Sequence, residues 1–383
     1  MKHMRTALVA AAAGLLVVTA AGCGSSDDSA SSGESATEES SASETQEEEA
    51  TGDDADATDV ATESEAEATG AICEGQKVTL VSTQKAGDQS VVDDMIANGL
   101  EAAGAELGAE TQYVEALDPT TYESTLANAA NAGSTIIATT FLEMGEPLKT
   151  VSQQFPDVKF IQIYGAPADT EIANLKTVSY RYDEATYLSG LVAGAVTDTN
   201  VLGYEGGMFI PGINSNYNAF KSAAQSVNPD VEVLPGEVGS FSDDAKAKEV
   251  VAALYASGAD IVQGDGPVIG HIEAAKDKGT YAIMGAPGLV DSAPENIMGV
   301  TFIYFGQSLF DQIEAACGPD FTPGHEASGV AQGVTGFYVP EQFIEAGDPA
   351  VVERVQAALP AMEEARDQIV SGELVVPEDN TAP

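Results

Sequence analysis

Residues 257–284 read SGADIVQGDGPVIGHIEAAKDKGTYAIM and contain one complete unit of the pattern that recurs along this chain. The apolar pair at 261–262 predicts a short strand, residues 270–278 have helical spacing, and residues 281–284 predict a second strand. A helix between two short apolar runs is typical of a βαβ unit, in which the two strands lie parallel in one sheet. The stretch therefore predicts an α/β fold.

The same alternation continues on both sides of this unit. Upstream, the predicted strands are 77–81, 111–116, 134–140, 159–164 and 177–182, and the helices are 91–107, 120–132 and 142–155. After a long helix at 185–196, the further strands are 201–204 and 231–234, and the further helices are 216–226 and 244–257. Two such sets predict two Rossmann-like lobes with parallel sheets, joined by a hinge, with a ligand cleft at the carboxyl ends of the strands.

Residues 1–22 have the features of a bacterial signal peptide. Lys2 and Arg5 precede an apolar run at residues 7–18, which is shorter than the roughly 20 residues that span a bilayer. Small residues follow, and Cys23 stands at the expected cleavage site, as in a lipoprotein signal. We expect an extracytoplasmic chain held to the cell membrane by acyl chains on Cys23. The alternative is an ordinary signal peptide with an incidental cysteine.

Residues 23–74 are predicted to form a disordered acidic tether. Residues 24–72 contain no aromatic residue, lysine or arginine, so they cannot bury enough apolar area to offset the entropy lost on ordering. A spacer between membrane and folded domain is the expected role, and an acidic interaction tail is the alternative. The chain carries a net charge of −46, whereas nucleic acid and anionic lipid require a basic patch, so neither is an expected partner.

The two remaining cysteines lie far apart in the sequence. Cys73 opens the predicted folded domain, and Cys317 ends a helix-like stretch at residues 306–316. An exported chain permits a disulfide between them, and this pairing is the prediction. The alternative is two buried free thiols.

The usual motifs of hydrolytic and metal chemistry are missing from the sequence. It has three histidines, and it lacks the zinc-protease, paired-cysteine, nucleophile-elbow and phosphate-loop patterns. We therefore expect a binding protein with no catalytic residue, metal or cofactor. His271 opens a predicted helix, so it is expected to be solvated there, and a position facing the cleft is the alternative.

The glycine-rich loop at residues 264–270 resembles a dinucleotide-binding fingerprint, but its last glycine comes one residue late. The next strand also ends in Met284, Gly285 and Ala286, without the acidic residue that holds a ribose in such enzymes. We expect instead that the backbone N–H groups of this loop face a bound ligand at a helix N-terminus.

Several stretches resemble the basic membrane protein family of ABC importer lipoproteins, which often bind purine nucleosides. The most specific are Tyr-Leu-Ser-Gly-Leu-Val-Ala-Gly at 187–194, Leu-Gly-Tyr-Glu-Gly-Gly-Met-Phe-Ile-Pro at 202–211 and Gly-Ser-Phe-Ser-Asp-Asp-Ala-Lys at 239–246. The resemblance implies a periplasmic-binding-protein type I fold that closes around its ligand. The implied lobes are 75–183 with about 302–325, and 184–301 with about 326–345. A C-terminal helix and tail occupy residues 346–383.

The resemblance also implies positions for the ligand and the hinge. The candidate ligand contacts are Asp88, Asp93, Phe141, Glu143, Asn216, Asp265, Gly266 and Ala286, and the candidate hinge residues are Glu184 and Thr301. The chain departs from the family where Val92 replaces an aromatic residue that stacks on a base, and where Ala286 replaces an aspartate that holds the ribose. Phe302, Tyr304 and Phe305 are predicted either to line the pocket or to pack into the hinge.

These patterns predict an extracytoplasmic solute-binding lipoprotein of an ABC importer. The best single ligand is a purine nucleoside or a related small molecule, and the expected partners are an ABC permease and the membrane that holds the lipid anchor. The chain is expected to be a monomer. One alternative is a tethered sensor that presents its ligand-bound form to a membrane receptor, and another is an extracellular enzyme.

Overall fold

The computed structural model describes residues 71–87, 91–168 and 171–383. Within these ranges, twelve strands form two six-stranded sheets. The strands are β1 (Lys77–Ser82), β2 (Glu110–Glu115), β3 (Ile136–Thr140), β4 (Lys159–Ile163), β5 (Leu175–Tyr180), β6 (Val201–Gly206), β7 (Glu232–Glu237), β8 (Ile261–Asp265), β9 (Tyr281–Met284), β10 (Ile297–Ile303), β11 (Gly324–Ser328) and β12 (Thr335–Tyr338).

Helices flank both sheets. They are α1 (Val91–Asp94), α2 (Ala102–Leu107), α3 (Tyr122–Asn131), α4 (Gly145–Gln154), α5 (Tyr182–Val196), α6 (Pro211–Val227), α7 (Asp244–Ala256), α8 (Val268–Lys278), α9 (Phe305–Cys317), α10 (Glu341–Ala346) and α11 (Pro349–Ser371). A π-helical stretch, Met95–Glu101, joins α1 to α2. None of the helices in the described ranges is both long and apolar enough to cross a membrane.

The strand order confirms two α/β lobes with predominantly parallel sheets. The first sheet has the order β11-β5-β4-β3-β1-β2, with every pair parallel. The second has the order β12-β10-β9-β8-β6-β7, and only β12 runs antiparallel, against β10. The sequence analysis identified no strand after residue 284, so the last three strands were not predicted.

The chain passes between the lobes three times. Each passage leaves the carboxyl end of a strand: β5 leads into α5, β10 leads into α9, and β11 leads back toward β12. Because all three connections start at carboxyl ends, these edges of the two sheets face each other. Strand β11 pairs with β5 as far as Ser328, so residues 326–328 lie in the first sheet and not in the second lobe, where the sequence analysis placed them.

The core of the second lobe depends on a close approach between α5 and α6. A Cβ atom added to Gly190 would lie 2.4 Å from the carbonyl oxygen of Phe220, and one added to Gly194 would lie 2.6 Å from that of Ala224. Only glycine lets the two helices approach this closely. The small residues of the 187–194 motif therefore set the spacing of this helix pair.

Helix α11 completes the same core and does not stand apart from it. Val355, Met362 and Ile369 on its inner face are buried in the cluster that includes α5 and α6. After the helix, Val376 is also buried there. The C-terminal segment, which the sequence analysis set apart from both lobes, therefore packs as part of the second lobe.

A disulfide joins Cys73 to Cys317, as predicted, with the two Cα atoms 5.1 Å apart. Cys73 is buried just before β1, and Cys317 is the last residue of α9. Both therefore lie at the amino-terminal edge of the first sheet, away from the edge that faces the second lobe.

Replacing both cysteines with serine should lower the free energy of unfolding by about 2–5 kcal/mol, because the bond closes a long loop, with a sequence separation of 244. Thermal unfolding with and without dithiothreitol measures the effect. The reductant should destabilise the native protein and leave the double variant unchanged. A native melting curve that does not respond to the reductant would contradict the prediction.

Candidate functional site

Two aromatic residues at the ends of neighbouring strands of the first lobe have unusual backbone conformations. Phe141 directly follows β3 with φ 61°, and Tyr164 directly follows β4 with φ 58°. A positive φ strains a residue that carries a Cβ by about 1–3 kcal/mol, and such strain concentrates at ligand sites. The backbone is held by Phe141 N, which donates to Ile163 O, and by Gln162 Nε2, which donates to Phe141 O.

The strained turns place two aromatic rings side by side at the facing edge of the first lobe. The ring centroids of Phe141 and Tyr164 are 6.1 Å apart in an edge-to-face arrangement. Tyr164 is 42% exposed, although it also packs against Tyr180. An exposed ring held in a fixed orientation offers a face on which a planar ligand can stack.

The aromatic residues of the passage from β10 to α9 divide between the two predicted environments. Phe305 packs into the hinge region, edge-to-face on Tyr180, with ring centroids 5.1 Å apart. Tyr304 stacks on Phe302 at 4.2 Å and is 39% exposed. Of these three residues, Tyr304 is the one that keeps an exposed ring at the carboxyl edge of the second sheet.

A carboxylate with a perturbed pKa lies at the facing edge of the second lobe. Asp265 ends β8, and its Oδ2 accepts hydrogen bonds from Tyr204 Oη and Asn216 Nδ2, both at 2.8 Å. Burial raises the pKa of Asp265 to about 6, the two hydrogen bonds lower it, and the negative charge of Glu205 raises it. No described residue donates a hydrogen bond to Oδ1.

Asp265 acts electrostatically on the first lobe. Burial, and then the negative charge of Asp265, raises the pKa of the Tyr164 phenol. The same two causes raise the pKa of Tyr182, at the start of α5. Tyr164 of the first lobe and Asp265 of the second are therefore close enough to interact electrostatically.

His271 is buried, so the predicted solvated position is wrong. Helix α8 begins at Val268, two residues earlier than predicted, and His271 points inward, where it is 1% exposed. Its Nδ1 lies 3.4 Å from Oε2 of Glu205, which is itself fully buried on β6. The pair lies beneath the loop that follows β8.

Two backbone amides at the N-terminus of α8 are not free for a ligand, which corrects part of a second expectation. Asp244, at the start of α7, accepts hydrogen bonds at Oδ1 from the backbone N–H groups of Ile269 and Gly270, at 3.0 and 3.2 Å. These first-turn donors are therefore satisfied within the protein. In the described ranges, no cluster of three or more His, Cys, Asp and Glu side chains could hold a metal ion.

The other predicted contacts divide between the two lobes. Asp93 Oδ1 accepts from the N–H of Gly87, and Glu143 is exposed, with Oε1 accepting from Thr83 Oγ1. Asn216 and Asp265 are in direct contact, whereas Ala286 follows β9, the neighbouring strand. Asp88 and Cys23 lie outside the described residues.

The two predicted hinge residues lie at the passages between the lobes. Glu184 Oε2 accepts from the N–H of Val330, which links the start of α5 to the return from β11. Thr301 is buried in β10, and its hydroxyl is 2.6 Å from that of Tyr182. The sequence analysis missed Tyr164 and Tyr204, although the position of Tyr164 at the carboxyl end of a predicted strand was an available signal.

A family model described as ABC transporter substrate-binding protein PnrA-like, Bmp, matches residues 76–377. The chain belongs to this family. The resemblance found in the sequence motifs is therefore confirmed.

Individual relatives agree with this assignment. A purine-binding protein of Brucella abortus is 29% identical over 218 residues, which is 56% of this chain and 61% of the relative. Basic membrane protein A1 of Borrelia garinii is 28% identical over 238 residues, which is 61% of this chain and 70% of the relative. A solute-binding protein of Aeropyrum pernix superposes with a TM-score of 0.64 at 21% identity, over 79% of this chain and 94% of that chain. The structural match supports the fold.

Gly266→Ala should lower the free energy of unfolding by about 1–3 kcal/mol, because the added Cβ would lie 2.1 Å from Oε1 of the buried Glu205. Gly288→Ala is the matched control, since nothing lies within 4 Å of its Cβ position. Chemical denaturation of both variants measures the difference. Equal loss in the two variants would contradict this packing.

Asp265→Asn should change stability in a pH-dependent way. The folded pKa of about 6 lies above the usual 3.8, so the stability linked to this carboxyl is present below pH 3.8 and is lost as the pH rises through 6. Relative to the native protein, the variant should therefore gain stability between pH 4 and pH 8. Denaturation at both pH values tests this, and a constant difference would contradict it.

Proposed function

We propose that this Bmp chain is the extracytoplasmic solute-binding lipoprotein of an ABC importer and that it binds a small solute in the cleft between its lobes. The observation that carries the proposal is the pairing of an exposed aromatic ring, Tyr164, with a carboxylate, Asp265, across that cleft. Binding by both walls favours a closed arrangement of the lobes, which a permease can distinguish from the open one.

A purine nucleoside is the ligand that best fits a site made by Tyr164 and Asp265. A planar base can stack on Tyr164 or Phe141, and the ligand's hydroxyl or N–H groups can donate to Asp265. The aspartate that holds the ribose in the family is replaced by Ala286, but Asp265 ends the adjacent strand β8 and offers a carboxylate there. The name of the Brucella abortus relative agrees with a purine ligand.

In this proposal, the predicted lipid anchor keeps the binding domain at the membrane surface. Acyl chains on Cys23 would hold the chain to the membrane, and the acidic tether would let the two lobes reach a permease. The same arrangement suits the second candidate, a tethered sensor. Deletion of the gene for this chain should abolish ligand uptake if the chain serves import, and should leave uptake unchanged if it serves sensing alone.

Calorimetry with adenosine, guanosine and inosine tests the ligand. At a hundredfold excess over Kd, a bound nucleoside should stabilise the protein by about 2.7 kcal/mol. Tyr164→Ala should weaken binding by about tenfold or more, because a base loses its stacking surface. Val375→Ala, at a 71% exposed position in the C-terminal tail, is the control and should bind like the native protein. The absence of binding by all three nucleosides at millimolar concentration would exclude this ligand class.

A further inference from the structure

Glu205 and Asp265 approach the cleft from adjacent strands but on opposite faces of the second sheet. The register of β6 and β8 pairs Gly206 with Asp265 and Glu205 with Gly264. Because successive side chains of a strand alternate between faces, Asp265 lies on the face of Tyr204, and Glu205 lies on the other face. The second face is covered by α8, which brings His271 to Glu205.

The segment that carries Asp265 rests directly on this buried pair. A Cβ atom at Gly264 would lie 2.5 Å from Nδ1 of His271, and one at Gly266 would lie 2.1 Å from Oε1 of Glu205. The two glycines flank Asp265 in the sequence, so the backbone on both sides of this residue packs against the pair. A displacement of Glu205 or His271 would therefore move the carboxylate of Asp265.

The pair is incompletely satisfied. Glu205 is fully buried and His271 is 1% exposed, and one contact of 3.4 Å joins them. Glu205 Oε1 and His271 Nε2 are both buried without a hydrogen-bond partner in the described part of the chain. A buried carboxylate with a free oxygen is poorly screened, so its field extends to neighbouring groups.

Among the described residues around Asp265, Glu205 is the charged group with the largest effect on its pKa. Tyr204 from β6 and Asn216 from α6 donate to Asp265, and the phenols of Tyr182 from α5 and Tyr164 from the first lobe face it. Within the described ranges, Asp265 forms no ion pair with a lysine or an arginine. The charge of Glu205 therefore opposes the ionisation of Asp265 and raises its pKa.

We propose that Asp265 is the residue that recognises a hydrogen-bond donor of the ligand, and that the buried Glu205–His271 pair positions it and couples ligand affinity to pH. The proposal rests on the proposed function, because it assigns roles within the same cleft. Tyr204 and Asn216 occupy Oδ2 and so fix the carboxylate, which leaves Oδ1 for an N–H or O–H group of the ligand. An ionised carboxylate is the stronger acceptor, so protonation of Asp265 weakens binding.

Calorimetric affinity against pH tests the role of Asp265, with adenosine, guanosine or inosine as the probe. Native affinity should fall about tenfold between pH 7 and pH 5, as the ionised fraction falls. Asp265→Asn should bind about 10- to 100-fold more weakly at pH 7 and lose this pH dependence. If Asp265→Asn binds the nucleoside as tightly as the native protein does, the assignment of Asp265 is wrong.

Glu205→Gln tests the positioning pair, because it keeps the shape of the side chain and removes its charge. The pH midpoint of binding should move down, because Asp265 ionises more easily without a neighbouring negative charge. Glu237→Gln is the matched control: Glu237 is exposed at the end of β7, so water screens its charge and the midpoint should stay native. An unchanged midpoint in Glu205→Gln, or an equal shift in the control, would overturn the coupling.

A carbon-13 NMR titration of the Asp265 carboxyl in the ligand-free protein separates this proposal from the choice of ligand. A native midpoint near pH 6 that moves down in Glu205→Gln supports the coupling even if no nucleoside binds, in which case only the ligand class fails. If Glu205→Gln does not fold, the native titration still decides, because a midpoint at the ordinary value of aspartate would overturn the proposal.

Discussion

Arg181 stands where the chain first passes from one lobe to the other, and its neighbourhood ties two passages together. Its backbone N–H donates to Ser328 O, at the end of β11. Its guanidinium binds Asp183 through two nitrogens, at 3.0 and 2.9 Å, and lies 3.6 Å from Glu184. Glu184 in turn accepts from the N–H of Val330, on the returning segment. Bidentate charge-assisted bonds of this kind have defined geometry as well as strength.

The contacts around Arg181 determine which edges of the two sheets face each other. Since the passages leave from carboxyl ends of strands, holding them together keeps the two carboxyl edges face to face. Residues far apart in the sequence then share one cleft: Phe141 and Tyr164 from the first lobe, and Asp265 from the second.

The C-terminal tail extends the same linkage across the second lobe. Arg181 Nη2 donates to Val376 O at 2.7 Å, and Asn214 and Asn218 of α6 donate to backbone carbonyls of Asn380 and Asp379. Helix α6 also carries Asn216, which holds Asp265. Helix α6 therefore connects the C-terminal tail and the passages between the lobes to the carboxyl edge of the second sheet. Gly190 and Gly194 set the distance between α6 and α5.

The sequence by itself determined the fold class, because apolar periodicity and helix spacing are local properties that the chain carries wherever it folds. It also determined the family, through motifs such as that at 187–194, and it indicated Asp265 and Asn216 as cleft residues. The strands after residue 284 were not predicted, and one of them, β11, pairs with β5, which lies far earlier in the chain.

Only the tertiary structure decided the environment of individual side chains. The position of His271 depended on where α8 begins and on Glu205, 66 residues earlier in the chain. The sequence favoured a ligand as the acceptor for the amides of Ile269 and Gly270, but Asp244 accepts from both. The perturbed pKa of Asp265 likewise arises from burial and from neighbours on β6 and α6. Burial and through-space charge depend on the packed neighbours, and no local sequence pattern records them.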